Sequence, residues 1–273
     1  MSDPAQRGPE LQLASPSYRL AALDQDFLLA DAQRGLRFQL EYEKAEQALR
    51  AWGVRSTVVV FGSARMREDG PGHQARWYGQ ARAFGNLCSL EGGALHSNGG
   101  FRDNVVATGG GPGAMEAANR GARDAGAPTI GFNIMLPREQ SPNPYTTPDL
   151  TFRFHYFAMR KMHLAMRAKA LVVFPGGFGT FDELFEILTL RQTHKAPDIP
   201  VVLFDEAYWR SVIHFEALVE AGMVDRHREG ARAVAGRLRR RTLLRRHQFL
   251  VGQSVRPRQP THQRGPQGPA GPA

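Results

Sequence analysis

The chain has little of what staples small secreted domains and little of what spans a membrane. Its one cysteine, Cys88, excludes an internal disulfide and reads as a small buried apolar side chain in a helix-like segment. No apolar run approaches the length needed to cross a bilayer, and the N-terminus has no signal-peptide core. A cytoplasmic enzyme or binding protein is therefore expected. Metal-ligand spacing is also lacking: His155 and His163 stand eight apart on one predicted helix with no further ligand. Lysine is absent after Asp225, where twelve arginines and a single acid, Glu229, give +11. The net charge of the whole chain is +9, so residues 1–225 carry only −2. The basicity belongs to one terminal segment, not to the body.

What is present is enough for a core. Hydrophobic residues make up 42% of 273, and apolar β-branched runs alternate with helical periodicity. Residues 1–17 carry prolines and few apolar runs and read as a disordered or draped leader. From Tyr18 to Trp52 the pattern is helical, with a break expected near Gly35. Strands are expected at Ser56–Phe61, Asn104–Thr108, Thr129–Ile134, Leu150–Phe154, Leu171–Phe174 and Ile199–Phe204, with helices between them and a closing helix at Glu206–Ala221. Strand-helix alternation argues an α/β fold, a doubly wound parallel sheet with helices on both faces and extra N-terminal helices. The expected organisation is a leader (1–17), one catalytic or binding domain (18–225) and a basic, Pro/Gly-rich tail (226–273).

The most informative stretch is Leu171–Glu186, LVVFPGGFGTFDELFE. A short apolar strand runs into Pro175, Gly176, Gly177, Gly179 and Thr180, and helical spacing follows. Backbone N–H groups and the positive end of a helix then converge where a phosphate or carboxylate fits. Glu183, read in the helix's first turn, either caps free N–H groups or acts on a substrate held next door.

Two further turns are expected at the same edge of the sheet. Gly62, Ser63, Ala64 and Arg65 follow the first strand, and small residues there let a ligand approach the backbone. Gly109, Gly110, Gly111, Pro112, Gly113 and Ala114 follow the second. Read as G-x-G-x-x-A, the latter could be a dinucleotide fingerprint, but the next strand ends near Asn133 without the acid that would grip a ribose. A nicotinamide cofactor is therefore rejected. Glu116, early in the next helix, is either a ribose ligand or a helix-start acid. Residues 135–148 form a proline-rich loop placed like a lid or pocket wall. On the helix from His155 to Ala168, Met159, Met162, His163 and Met166 are expected to form a core stripe. Arg160 and Lys161 face elsewhere and are anion-binding candidates.

Taken together, the Met159–Arg160–Lys161 helix, the loop Pro175–Gly176–Gly177–Phe178–Gly179–Thr180–Phe181–Asp182–Glu183, the segment Thr108–Ala122 and the Gly62–Arg65 turn resemble the LOG family of nucleoside-monophosphate phosphoribohydrolases. Coverage runs from about Ser56 to Met223; the arginine-rich ending departs from the family pattern. The resemblance implies a Rossmann-like fold, a homodimer or larger homo-oligomer, and no metal or organic cofactor. It implies hydrolysis of the N-glycosidic bond of AMP or a cytokinin riboside monophosphate. Glu183 would stabilise the developing sugar cation and activate water, and Arg160 would assist. Gly176 to Thr180 would hold the 5′-phosphate, with Lys161 a lesser contact. Gly109, Gly110, Gly111, Gly113 and Glu116 would line the ribose and base side, with Gly62 and Ser63 close by. The rival expectation is a nucleotide-binding sensor or carrier without turnover. A third, nucleic-acid binding, would act through the tail.

Overall fold

The structure, a computed structural model, describes residues 9–95, 97–136 and 141–224. The expectations for the first eight residues and for the tail (226–273) fall outside them. Along the chain, α1 (Glu10–Ala14) and α2 (Gln25–Leu29) are little more than one turn each, and α3 (Arg34–Ala51) is long. Then come β1 (Thr57–Phe61), α4 (Gln74–Gly92), β2 (Val105–Thr108), α5 (Ala114–Asp124) and β3 (Thr129–Ile134). Next are β4 (Thr151–Phe154), α6 (Phe157–Met166), β5 (Ala168–Val173), α7 (Phe178–Gln192), β6 (Val201–Leu203), α8 (Glu206–Val212) and α9 (Phe215–Glu220).

The six strands form one parallel sheet in the order β4-β3-β2-β1-β5-β6. The chain lays β1 to β4 outward on one side, then returns to place β5 and β6 on the other side of β1. The reversal leaves a crevice above the carboxyl ends of β1 and β5. Side chains alternate across the sheet. Val59 and Phe61 of β1 join a buried cluster with Leu49 of α3, Leu164 of α6 and Leu184 of α7. Val58 and Val60, equally buried, point to the other face, where α4 and α5 pack on each other and α5 contacts β1. The sheet is thus covered on both faces, as the near-continuous apolar strands require.

Several local expectations change. The N-terminal helices do not break at Gly35, which lies in the first turn of α3. The break falls before it, because Asp24 caps α2 through Phe27 N–H and the Arg37 guanidinium donates to the carbonyls of Leu28 and Ala30 at 2.9 and 2.6 Å. Within the expected leader, α1 forms but buries no residue. The closing helix splits into α8 and α9 because Ile213 is extended (φ −134°, ψ 117°) and packs, with Phe215, against the core. The expected stripe on α6 is buried only in part, with His163 buried and Met159 packed against the core. Arg160, His163 and Leu164 are buried, whereas Met166 is 47% exposed. Cys88 is buried as expected, and burial pushes its thiol up to about 12.

Candidate active site

Three turns meet above the carboxyl edge of the sheet, and the backbone of Ser63 ties them together. Its N–H donates to the carbonyl of Pro175 at 3.0 Å, and its carbonyl accepts from Ala114 N–H at 3.1 Å. The close approach depends on Gly62: a Cβ there would stand 2.6 Å from Ala114 Cβ and 2.9 Å from Phe174 Cβ. Above the junction opens a cleft of about 760 Å³. It brings together Gly62, Ser63, Gly176, Gly177, Gly179 and Thr180, with Arg160 and Glu183 on its wall.

The loop after β5 leaves donors free. Gly177 is the N-cap of α7 and its carbonyl accepts from the N–H groups of Thr180 and Phe181. The amides of Phe178 and Gly179 have no protein acceptor among the described residues, as the first turn of a helix dictates. Unpaired amides at the positive end of a helix dipole, on residues that line the cleft, are chemically able to hold an anion. The loop is held from beside it, since the Tyr208 hydroxyl donates to the Gly176 carbonyl at 2.5 Å.

Glu183 does not lie in the first turn of its helix. α7 begins at Phe178, which places Glu183 in the second turn, and the first turn has no acid. Capping is therefore not its task. Glu183 is 5% exposed, and its Oε1 stands 3.2 Å from Nη2 of Arg160. Burial pushes the carboxyl up to about 6, against the pull of the Arg160 and Lys161 charges. The Arg160 guanidinium is itself buried, which lowers its pKa against the opposing effect of Glu183. Its Nε donates to the Phe132 carbonyl at 3.0 Å, and the group sits near the rings of Phe61 and Phe157. A fixed cation thus orients a carboxylate that can take up a proton near neutral pH.

Other candidates lie elsewhere. Lys161 turns away and pairs through Nζ with Asp182 at 2.9 Å and Glu186 at 3.2 Å. Burial opposes its charge, but these carboxylates hold its pKa above the ordinary lysine value. Glu116 is absent from the cleft wall and accepts from the Tyr78 hydroxyl at 2.8 Å, joining α5 to α4. Gly109, Gly110, Gly111 and Gly113 are likewise absent from that wall. For Gly109, Gly110 and Gly113 the structure shows close packing. A Cβ on Gly113 would stand 2.1 Å from the Ser63 carbonyl oxygen, and one on Gly109 would stand 3.0 Å from Arg160 Nη2. The carbonyls of Gly110 and Gly111 accept from Asn143, so the proline-rich loop braces this turn.

Arg65 of the expected turn after β1 lines the cleft, and so do four residues that sequence reasoning missed: Gln74, Trp77, Phe157 and Tyr208. Trp77 and Tyr208 are brought together from 131 positions apart only because α4 and α8 both start beside the crevice. Among the described residues, no group of three or more His, Cys, Asp or Glu is placed to hold a metal ion. No helix there is long and apolar enough to cross a membrane.

Residues 115–239 match a family model described as "Possible lysine decarboxylase". That span contains Arg160, Lys161 and the whole loop to Glu183. The chain is 26% identical over 163 residues to the cytokinin riboside 5′-monophosphate phosphoribohydrolase LOG4 of Arabidopsis thaliana, covering 53% of this chain and 74% of the relative. It is 30% identical over 125 residues to LOG3 of the same plant, a protein with the same activity in its name, covering 44% and 56%. The chain thus spans just over half the length of that second relative. Among solved structures, it is similar to the molybdenum cofactor binding protein of Rippkaea orientalis, with 21% identity, a TM-score of 0.41, and coverage of 61% of this chain and 85% of that one.

Proposed function

Taking as premise that the chain is a relative of the LOG family, we propose that the cleft hydrolyses the N-glycosidic bond of a nucleoside 5′-monophosphate to free base and ribose 5-phosphate. One observation carries this reading. A nearly buried carboxylate, Glu183, lines the cleft one helical turn beyond free amides that can take a phosphate. Binding alone needs the amides; it does not need the acid.

In this reading the 5′-phosphate sits at the α7 N-terminus, held by Phe178 and Gly179 N–H, and thereby fixes the ribose beside Glu183. The bond from C1′ to the base nitrogen breaks, and its electron pair leaves with the base. Positive charge spreads over the ring oxygen and C1′, where the carboxylate stabilises it. Water adds its oxygen to C1′ and Glu183 takes the proton; Glu183 then gives it up through solvent to the departed base anion, which returns the carboxylate to its starting form. Arg160, tied to the Phe132 carbonyl, holds the carboxylate in line. Met115 and Phe157 supply apolar surface for the base. The matched model's description would instead need a lysine poised to form a Schiff base. Lys161 is held by two carboxylates, and Lys169 is exposed on β5, so neither suits that chemistry.

The test is incubation with AMP, and with its N6-isoprenoid analogue, followed by quantitation of ribose 5-phosphate and free base. Release is expected from the wild type and not from Glu183→Ala. Tight AMP binding without release leaves the carrier reading standing. Release at full rate from Glu183→Ala removes the role given to the glutamate.

A further inference from the structure

The cleft is also lined by residues from elements other than those that carry Glu183 and Arg160. Glu183 and Arg160 come from α7 and α6, on the face shared with α3. Gln74 and Trp77 come from the first turn of α4, on the opposite face, and Tyr208 comes from α8 beyond β6. The loop after β5 lies between these two walls. In the proposed function a monophosphate lies from Glu183 to the α7 N-terminus, and the second wall has no role. The cleft's 760 Å³ falls in the upper half of the roughly 300–1,000 Å³ typical of small-ligand sites.

The second wall is fixed in place. Asp205 accepts from the Trp77 indole N–H at 2.8 Å and from Arg76 Nη2 at 2.5 Å, and it caps α8 through Tyr208 N–H at 3.1 Å. It does so from a left-handed backbone, φ +68° and ψ 84°, which is costly for a residue with a side chain. The Trp77 and Tyr208 rings meet edge to face at 5.8 Å, and the Tyr208 hydroxyl is anchored on Gly176. Both rings are half-buried and rigid, with their polar atoms already used. Arg65, in the turn after β1 that lines the same cleft, is exposed, and its guanidinium has no acidic partner among the described residues.

A free cation next to a phosphate site, followed by two immobilised aromatic rings, matches a particular ligand shape. We propose that this wall is a second subsite for nucleotides whose 5′-phosphate carries a further phosphate-linked group. Arg65 meets the second phosphate, and the Trp77–Tyr208 wall takes the ring beyond it. The substrate class thereby widens from nucleoside monophosphates to diphosphate-linked dinucleotides, with cleavage still at the base held near Glu183. The inference rests on reading the cleft as a nucleotide site.

The test is titration calorimetry with AMP, ADP and diadenosine diphosphate on full-length Glu183→Gln protein, so that turnover does not consume ligand. ADP should bind more tightly than AMP, and diadenosine diphosphate tighter than AMP by at least about tenfold, the scale of one charge-assisted contact plus one stacked ring. In a Trp77→Ala background the gain from ADP to the dinucleotide should vanish; in an Arg65→Ala background the gain from AMP to ADP should vanish. Arg65 is exposed and makes no ion pair among the described residues, so that variant reports even if Trp77→Ala does not fold. Equal affinities for the three ligands overturn the subsite, as does a dinucleotide preference that survives both substitutions. Base release from AMP is scored separately on the wild type. Its absence with the affinity order intact counts against hydrolysis alone, and its presence with a flat order counts against the subsite alone.

Discussion

Two glycine turns stand side by side at the carboxyl edge of the sheet, one after β2 and one after β5, and they do opposite work. In the first, a Cβ on Gly113 would collide with the Ser63 carbonyl and one on Gly110 with the Asn133 side chain, and both glycines have positive φ. The carbonyls of Gly110 and Gly111 are taken by Asn143. In the second, a Cβ on Gly177 or Gly179 would meet no atom within 4 Å, and neither glycine has a positive φ. The protein needs glycine in the first turn in order to pack. In the second, Gly176 is also packed closely, since a Cβ there would stand 2.1 Å from Thr180 Oγ1, but the space beside Gly177 and Gly179 is open and the amides of Phe178 and Gly179 are free among the described residues. Glycine content alone does not mark a ligand site; open space and unpaired amides beside the glycine are what an anion would need.

The comparison breaks most readily at the acid beside the second turn. If that turn presents a substrate to Glu183, Glu183→Gln should lower kcat for base release by about 10²–10⁴-fold, the usual range for losing a general acid–base group. KM should move far less, because the amides that hold the phosphate are untouched. Steady-state assay of ribose 5-phosphate against AMP concentration measures both. A variant with near wild-type kcat would sever the second turn from chemistry.

The next effect belongs to the first turn and should appear as stability. Gly113→Ala places a methyl 2.1 Å from the Ser63 carbonyl oxygen on a residue at φ +75°. Overpacking and a left-handed backbone together cost about 3 kcal/mol. In a domain of this size that lowers Tm by roughly 10 °C. Calorimetric melting within a degree or two of wild type would mean the first turn is not held by packing.

The strand-turn-helix order, all six strands and the three turns at one sheet edge are legible in the sequence because apolar runs and glycines are local signals. What is misread depends on competition or distance. Glu183 reads as a first-turn acid because two glycines argue against a helix beginning at Phe178. A helix N-terminus tolerates them, so α7 starts earlier and the acid moves one turn inward. Gly35 looks like a break for the same reason, yet it rides inside α3 while Arg37 closes off α2. Lys161 looks like a partner of Arg160, but neighbours in a helix point about 100° apart. One reaches the cleft and the other the carboxylates of Asp182 and Glu186. The Trp77–Asp205–Tyr208 wall has no local signal, since it exists only once β6 has been laid beyond β5.

A smaller effect should separate the two turns by sign. Gly179 lies in the first turn of α7 with open space around it. Gly179→Ala should therefore stabilise the helix by about 0.5–1 kcal/mol, raising Tm by a few degrees. The same methyl enters the cleft beside the free amides and should weaken nucleotide binding by about tenfold, because a phosphate approaches main chain closely only where no side chain intervenes. Opposite signs in calorimetric Tm and nucleotide Kd would sharpen the contrast with Gly113→Ala, where stability falls. Unchanged affinity would mean that the anion is held elsewhere.

The smallest expected change is in the pH profile, and it tests the carboxylate in the wild-type protein. Burial raises the Glu183 pKa to about 6, while Arg160 and Lys161 pull it down. The ionised form is the one that takes a proton from water. Base release, followed as kcat/KM, should therefore be full well above pH 6 and fall about tenfold per unit as pH drops below it. Removing one opposing charge fixes the sign of the next step. In Lys161→Met, a residue that does not line the cleft, the carboxyl loses part of what favours its charged form, so the acid limb should move to higher pH. A limb that stayed in place, or moved to lower pH, would show that the titrating group is not the carboxyl beside the second turn, even if Glu183→Gln were inactive.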